Sequence, residues 1–175
     1  MNKVLFLVIL SFVLCNCSSV NQNKIDEVDV LQKKLNALEF SYNNIDTLAV
    51  EGALKRYKEN LSMIKKYYND TVDKDFVYLI NKYKGIKKAG KSLSKKDRRD
   101  ISTNIKITKH QLNTLSIDLE SDVIPADSID YFIKVEGDKI NKLNGHISNY
   151  ILICDEVIQL DTTLSSKVQK LLNKN

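Results

Sequence analysis

The sequence predicts an all-α protein, and three observations support this class. Leu, Ile, Lys, Asn, Asp and Glu dominate the composition, whereas the 175 residues include one proline, five glycines and no tryptophan. Apolar residues recur at steps of three and four over long stretches, which is the spacing of one face of an α-helix. No segment combines the two-residue alternation and the flanking turn residues of a β-strand. Together these features indicate long helices packed in a bundle.

The amino-terminal residues predict an export signal. Lys3 precedes a mostly apolar run from Val4 to Leu14, and polar residues follow this run. One positive charge, a short apolar core and a polar exit are typical of secretory signals. The run is well short of the roughly 20 residues that a membrane-spanning helix needs.

The end of this run, Leu14-Cys15-Asn16-Cys17, resembles a bacterial lipoprotein box. The resemblance covers only the amino-terminal signal, and it implies cleavage before Cys17 and a diacylglycerol on its sulfur. Because two or more acyl chains hold a protein stably on a bilayer, the membrane is the first expected partner. Ser18 follows Cys17 in place of the Asp that often retains lipoproteins at the inner membrane, so we expect an outer-membrane address. An ordinary secretory signal with two incidental cysteines is the alternative.

The resemblance and the apolar periodicity together divide the chain. We predict a signal peptide at residues 1–16, a lipidated tether at 17–23 and a single helical-bundle domain at 24–175. Three periodic blocks of similar length make up this domain: about 24–69, 72–120 and 127–172.

The first two blocks each contain an irregularity. In the first block the apolar stripe shifts register near Gly52, and a stutter or bend absorbs such a shift. The middle block is interrupted between Gly85 and Ser92, and Ser94 is the expected cap of the helix that follows. Short connections between long helices favour antiparallel neighbours. We therefore predict an elongated antiparallel bundle of about three long helices with the middle one broken near residue 90. A bundle of four or five helices, broken also near Asp46 and Gly52, is the alternative.

The last block has the most regular stripe of the chain. Its apolar steps of three and four continue for more than 40 residues, from Ile129 to Leu171. Pro125 precedes the block, and Asp127 or Ser128 is the expected cap of its first turn.

The positive charge of the chain is concentrated in one segment. The whole chain carries a net charge of +5, and residues 82–99 contain nine basic residues against the single acid Asp97. We call this stretch the basic segment, and its candidate anion-binding side chains are Lys82, Lys84, Lys87, Lys88, Lys91, Lys95, Lys96, Arg98 and Arg99. Such a cluster predicts binding of phosphate, lipid head groups or acidic glycan. No nucleic acid partner is predicted, because the export signal directs the chain away from it. A solvated loop kept soluble by its lysines is the alternative.

The sequence predicts no catalytic residue, no metal site and no cofactor. His110 and His146 have no partner at metal-ligand spacing, so we interpret both as helix-surface residues. Cys154 falls on the apolar stripe of the last block, where it is expected to pack as a small hydrophobic side chain. An enzyme would need acids clustered on one face, for which Glu136 and Asp138 are an example.

Four short motifs resemble the O-glycosylation consensus of one phylum of Gram-negative bacteria. Each consists of Asp, then Ser or Thr, then a small or aliphatic residue. The resemblance implies Thr47, Thr71, Ser128 and Thr162 as candidate O-glycosylation sites. Helix capping by Asp is the alternative explanation.

These observations favour a non-enzymatic lipoprotein of the bacterial cell envelope. It is expected to act as a lipid-tethered helical scaffold or partner-binding module, with a protein or an envelope polymer as partner. The alternatives are a specialised binder, inhibitor or adhesin that uses the basic segment, and an enzyme with an unrecognised site. Exposed apolar stripes also allow pairing between chains, so a homodimer is compatible with the sequence.

Overall fold

A computed structural model describes residues 2–67 and 74–172, and it describes side chains for residues 22–66, 74 and 76–170. The described residues are almost entirely helical and contain no β-strand, so the predicted all-α bundle is confirmed. In chain order the helices are α1 (Asn2–Asn43), α2 (Thr47–Tyr67), α3 (Lys74–Tyr83), α4 (Gly85–Lys91), α5 (Lys95–Glu120) and α6 (Ala126–Leu172).

The first block bends at residues 44–46, between α1 and α2, and the register shift expected at Gly52 does not interrupt the helix. The bend lies where Asp46 caps α2, because its Oδ1 accepts the backbone N–H of Ala49 at 2.8 Å. Gly52 has a different role. A Cβ at this position would lie 3.3 Å from Nη1 of Arg56, so the missing side chain leaves space for the guanidinium.

The middle block breaks close to the predicted position, on either side of α4. The predicted interruption itself is helical from Gly85 to Lys91, and the chain leaves the helix at residues 92–94. Gly90 permits a close helix contact, because a Cβ there would lie 2.5 Å from Cδ2 of Leu54 on α2. This glycine therefore serves packing more than bending.

The start of α5 is capped as expected by Ser94. Its Oγ accepts the backbone N–H of Asp97 at 3.1 Å, and Oδ2 of Asp97 accepts the backbone N–H of Ser94 at 3.2 Å. This reciprocal arrangement is a capping box. The Ser94 hydroxyl also donates to Oδ2 of Asp97, and this bond is the main cause that lowers the pKa of the Asp97 carboxyl.

Helix α6 matches the third block, with one difference at its start. It begins at Ala126, so Asp127 and Ser128 lie inside its first turn and neither is the residue that precedes the helix. The carbonyl of Pro125 accepts the backbone N–H of Ser128 at 2.9 Å. Asp127 still stabilises the start of α6, because a carboxylate in the first turn interacts favourably with the positive end of the helix dipole.

The chain forms two compact units, which share α1, α5 and α6. Unit 1 consists of Met1–Phe40 and Ser102–Asn144, and unit 2 consists of Ser41–Ile101 and Gly145–Asn175.

In unit 1, α1 and α6 run parallel and α5 runs antiparallel to both. Lys24 pairs with Asp130 at 2.8 Å, and further along both helices Leu31 approaches Gly137. Glu39 of α1 pairs with Lys109 of α5 at 2.8 Å, whereas the earlier α1 residue Gln32 bonds the later α5 residue Asn113. The apolar core of unit 1 comprises Val28, Leu35, Ile105, Leu112, Leu115, Leu119, Ile129, Ile140 and Leu143.

In unit 2, α2 runs parallel to α6. Arg56 pairs with Asp161, and four residues later in both helices Asn60 bonds Ser165. Helices α3 and α4 run antiparallel to α2, since Tyr83 contacts Asn60 whereas Gly90 approaches the earlier residue Leu54. The apolar core of unit 2 includes Val50, Ala53, Tyr57, Tyr83, Ile86, Ala89, Ile147, Tyr150, Cys154, Val157, Leu164 and Val168.

Candidate functional site

The basic segment lies entirely on the surface of unit 2. All nine of its Lys and Arg side chains are exposed, and none forms an ion pair with an acid among the residues that the structure describes. Asp97, the single acid in this stretch, is held in the capping box by Ser94. The cations are therefore available to an external anion.

The backbone of the basic segment is ordered by an apolar face. In α4, Ile86 and Ala89 are buried, and Lys87, Lys88 and Lys91 are exposed on the rest of the helix. This arrangement differs from the solvated loop that the sequence left open, because most of the segment is helical.

The first turn of α5 adds a second source of positive potential. Lys95 and Lys96 occupy its first two positions, where unpaired backbone N–H groups and the helix dipole already favour negative charge. At the other end of the segment, Lys82 lies with its Nζ 4.8 Å from the ring centre of Tyr78. The Nζ of Lys84 donates to Oδ1 of Asn81 at 3.5 Å.

A buried polar cluster occupies the core of unit 2, and sequence reasoning missed it. Nδ2 of Asn60 donates to Oη of Tyr83 at 2.9 Å and to Oγ of Ser165 at 3.2 Å. The Asn60 side chain is 1% exposed and Tyr83 is equally buried, and this burial raises the pKa of Tyr83. Because such bonds form in one alignment of the helices, they specify the pairing of α2, α3 and α6.

Next to this cluster lies an ion pair with unequal burial. Nε and Nη2 of Arg56 both donate to Oδ2 of Asp161, at 2.8 and 2.6 Å. The Asp161 side chain is 5% exposed and that of Arg56 is 50% exposed. The hydrogen bond to Asp161 raises the pKa of Arg56. Oδ1 of Asp161 and the hydroxyl of Tyr57 are buried and have no hydrogen-bond partner in the described part of the chain.

A pocket of about 430 Å³ opens in unit 1 between α5, the turn that follows it, and α6. Its walls are His110, Gln111, Thr114, Leu115, Asp118, Ile124, Phe132 and Glu136. The α5 residues fall at helical steps of one, three and four, and the two α6 residues are four apart, so one face of each helix lines the pocket.

Glu136 is the buried acid of this pocket. It is 8% exposed, and its Oε1 accepts a hydrogen bond from Nζ of Lys139 at 2.7 Å. Lys139 also donates to Oε1 of Gln111 at 3.2 Å. Oε2 of Glu136 is buried without a hydrogen-bond partner among the described residues. Asp138, its suggested catalytic partner, is exposed and belongs to a different face of α6.

The remaining residues singled out from sequence lie as follows. Cys154 is 2% exposed, and burial raises the pKa of its thiol to about 11. His110 and His146 are both exposed. Within the described ranges no group of three or more His, Cys, Asp and Glu side chains could hold a metal ion. The prediction for Cys17 falls outside the described side chains.

Three of the candidate glycosylation residues have local structural contacts. Thr47 is the first residue of α2 beside the capping Asp46, and Ser128 donates its hydroxyl to Oδ1 of Asp127 at 3.0 Å. The hydroxyl of Thr162 donates to the carbonyl of Ile158 at 2.8 Å inside α6. Thr71 lies outside the described residues. Glycosylation of these residues stays a prediction.

Comparisons with known proteins add no family. No protein-family model, no curated protein and no solved structure matches this chain. Among the helices of the described residues, none is both long and apolar enough to cross a membrane.

Proposed function

We propose that this protein is a non-enzymatic lipoprotein of the bacterial cell envelope. It is tethered by a lipid on Cys17 and acts as a helical partner-binding module, whose basic segment engages an anionic envelope partner. Two features support the proposal, the lipobox-like stretch that ends at Cys17 and the nine exposed cations of unit 2.

The observation that carries the partner-binding part is the concentration of exposed cations in the basic segment. The lack of ion pairs alone does not distinguish it, because elsewhere in the described residues Lys106, Lys134 and Lys142 also form none. Nine exposed cations around one acid instead produce a concentrated positive field. Such a field attracts phosphate or carboxylate groups of a lipid or polymer surface.

The lipid anchor can be tested with a matched pair of variants. Cys17→Ser should remove the acyl mass and release the protein from the membrane fraction, because the sulfur that carries the lipid is gone. Cys15→Ser is the control, and this variant should keep the acyl mass and stay in the membrane fraction. Intact mass spectrometry of fractionated envelopes measures the result. Recovery of Cys17→Ser with membranes at an unchanged mass would contradict the anchor.

The basic segment can be tested by removing charge at two places. In the variant Lys87→Gln, Lys88→Gln and Lys91→Gln, three exposed charges of α4 are lost. The control variant changes the same number of exposed lysines in unit 1: Lys106→Gln, Lys134→Gln and Lys142→Gln.

We expect the α4 variant to bind an anionic polysaccharide or anionic vesicles about tenfold more weakly, and the control to change little. Binding by the unaltered protein should weaken steeply with salt, because screening acts over about 10 Å at 0.1 M ionic strength. Equal losses in the two variants, or binding that is insensitive to salt, would contradict a specific role of the basic segment. Comparison of the polysaccharide with the vesicles indicates which surface is preferred.

A scaffold that spaces envelope components is the second candidate function. It is favoured by the 47-residue helix α6, which contributes to both units. A scaffold would keep its envelope cross-links when the charges of α4 are removed, so cross-linking of the same two variants separates these functions.

A further inference from the structure

We propose that the pocket of unit 1 binds a small organic cation, with an ammonium group carried on an apolar body. This proposal goes beyond the proposed function, because the pocket lies in unit 1 and the basic segment lies in unit 2. Three observations lead to it: the volume and lining of the pocket, the buried oxygen of Glu136, and the charge of the surrounding chain.

The pocket has the size and apolar surface of a small-molecule site. Its volume of about 430 Å³ lies in the range of ligand pockets. Leu115, Ile124 and Phe132 supply apolar and aromatic surface, and these residues come from α5, the turn and α6. A ligand with an apolar body would remove this surface from water.

Glu136 supplies the polar group that would orient the ligand. Lys139 occupies only its Oε1, and Oε2 has no donor within the described residues. A buried carboxylate oxygen without a donor is unfavourable, so an incoming donor would be stabilising. An ammonium group offers three donors and a positive charge.

The local charge selects a cation over an anion or a neutral molecule. From His110 to Ile133 the sequence contains no Lys or Arg and five acids, of which Asp118 itself lines the pocket. Lys24 pairs with Asp130, whereas Asp118 forms no ion pair among the described residues and keeps the potential of the pocket negative. Lys139 balances the charge of Glu136 and also donates to Gln111, so the uncompensated negative charge that lines the pocket is that of Asp118.

The test is calorimetric titration of the purified protein with three probes that share a phenyl group. These probes are 2-phenylethylamine, the neutral 2-phenylethanol and the anion 3-phenylpropionate. We expect saturable binding of the amine and at least tenfold weaker binding of the other two. Equal binding of amine and alcohol, or no saturable binding of the amine, would overturn the proposal.

Two variants test whether the amine binds at this pocket. Glu136→Gln keeps the side-chain size and should weaken amine binding at least tenfold, to the level of the alcohol. The control, Asp138→Asn, removes an exposed acid two residues away and should change the affinity less than twofold. Equal effects of these two variants would reject the site.

A second variant protects the test from a folding defect in Glu136→Gln. Phe132 is 42% exposed, so Phe132→Ala should fold and should weaken the amine by removing apolar contact. Unchanged amine binding in Phe132→Ala would overturn the proposal. Tighter binding of a short lysine-containing peptide than of the amine would also overturn it, because the pocket would then serve a protein partner.

Discussion

Unit 1 and unit 2 share helices but differ in charge and in the chemistry of their cores. From residue 17 onward, unit 1 has 8 Lys and Arg against 11 Asp and Glu, whereas unit 2 has 18 against 11. The core of unit 1 is almost entirely apolar, with its buried acid at the edge of a pocket. The core of unit 2 contains a polar cluster and an ion pair. The difference indicates that unit 1 is stabilised mainly by packing and that unit 2 also depends on helix-specific hydrogen bonds.

The largest effect should come from a cavity in the packed core of unit 1. Leu112 is 0% exposed, and Leu112→Ala should lower the free energy of unfolding by about 2–5 kcal/mol. The exposed α5 residue Ile117 gives the control, for which Ile117→Ala should cost less than about 0.5 kcal/mol. Urea denaturation measures both variants. Similar losses would mean that packing does not dominate unit 1.

The second-largest loss of stability should come from breaking the ion pair of unit 2. Arg56→Met leaves the carboxylate of Asp161 buried without a donor, so we expect a loss of about 2 kcal/mol. The loss is smaller than for a fully buried pair because the Arg56 side chain is half exposed. Replacing both partners, as Arg56→Met with Asp161→Leu, should recover much of the stability in urea denaturation. If the double variant is less stable than Arg56→Met, the pair does not act as this geometry implies.

Alkaline pH should destabilise unit 2, with a loss of unfolding free energy that is comparable to or smaller than the loss in Arg56→Met. Burial raises the pKa of Tyr57, Tyr83 and Tyr150, and it raises that of Cys154 from 9.0 to about 11. The folded state therefore keeps these protons longer than the unfolded state. The contribution of Cys154 is complete below pH 9 and is lost as the pH rises towards 11.

We expect a loss of about 1–2 kcal/mol over this window, measured by urea denaturation at a series of pH values. Cys154→Val removes the titrating thiol and should flatten part of the curve. Tyr131→Phe, at an exposed position of unit 1, is the control and should leave the curve unchanged. If Tyr131→Phe flattens the dependence of stability on pH and Cys154→Val does not, the alkaline sensitivity does not come from unit 2.

The smallest effect concerns the cap of α5. Ser94→Ala should cost about 1 kcal/mol, because the backbone N–H of Asp97 loses its acceptor. The lowered pKa of Asp97 means that its contribution is present above the unfolded pKa and is lost as the pH falls through the folded value. Ser92→Ala is the matched control on the same connection. Equal costs in urea denaturation would show that the capping box is not the source.

The sequence predicted the helices well where the apolar stripe is continuous. Helix α6 begins within one residue of its predicted start. In the second half of the middle block the residues that recur at steps of three and four are all buried: Ile101, Ile105, Thr108, Leu112, Leu115 and Leu119. These predictions succeed because helical spacing depends on local sequence alone. The main prediction placed the irregularity of the first block at the register shift near Gly52, and only the alternative also named Asp46, close to the observed bend at residues 44–46. The shift does not interrupt α2, where a Cβ at Gly52 would lie 3.3 Å from Nη1 of Arg56.

The buried polar residues were harder to predict. Asn60, Glu136 and Asp161 all fall at stripe positions, so a polar residue on the core-facing side was the available signal. The signal does not identify the partner, because that depends on which helices are neighbours and on their alignment. The pocket in unit 1 was not predictable for the same reason, because it is lined by α5, the turn and α6 together.

The sealed thiol of Cys154 has a practical consequence. If lipid occupies Cys17 and the signal is removed, Cys154 is the single thiol of the mature chain. An alkylating reagent can reach it only when its surroundings transiently open. The rate of thiol labelling would then report how often unit 2 opens locally around Cys154, with no engineered label in the sequence.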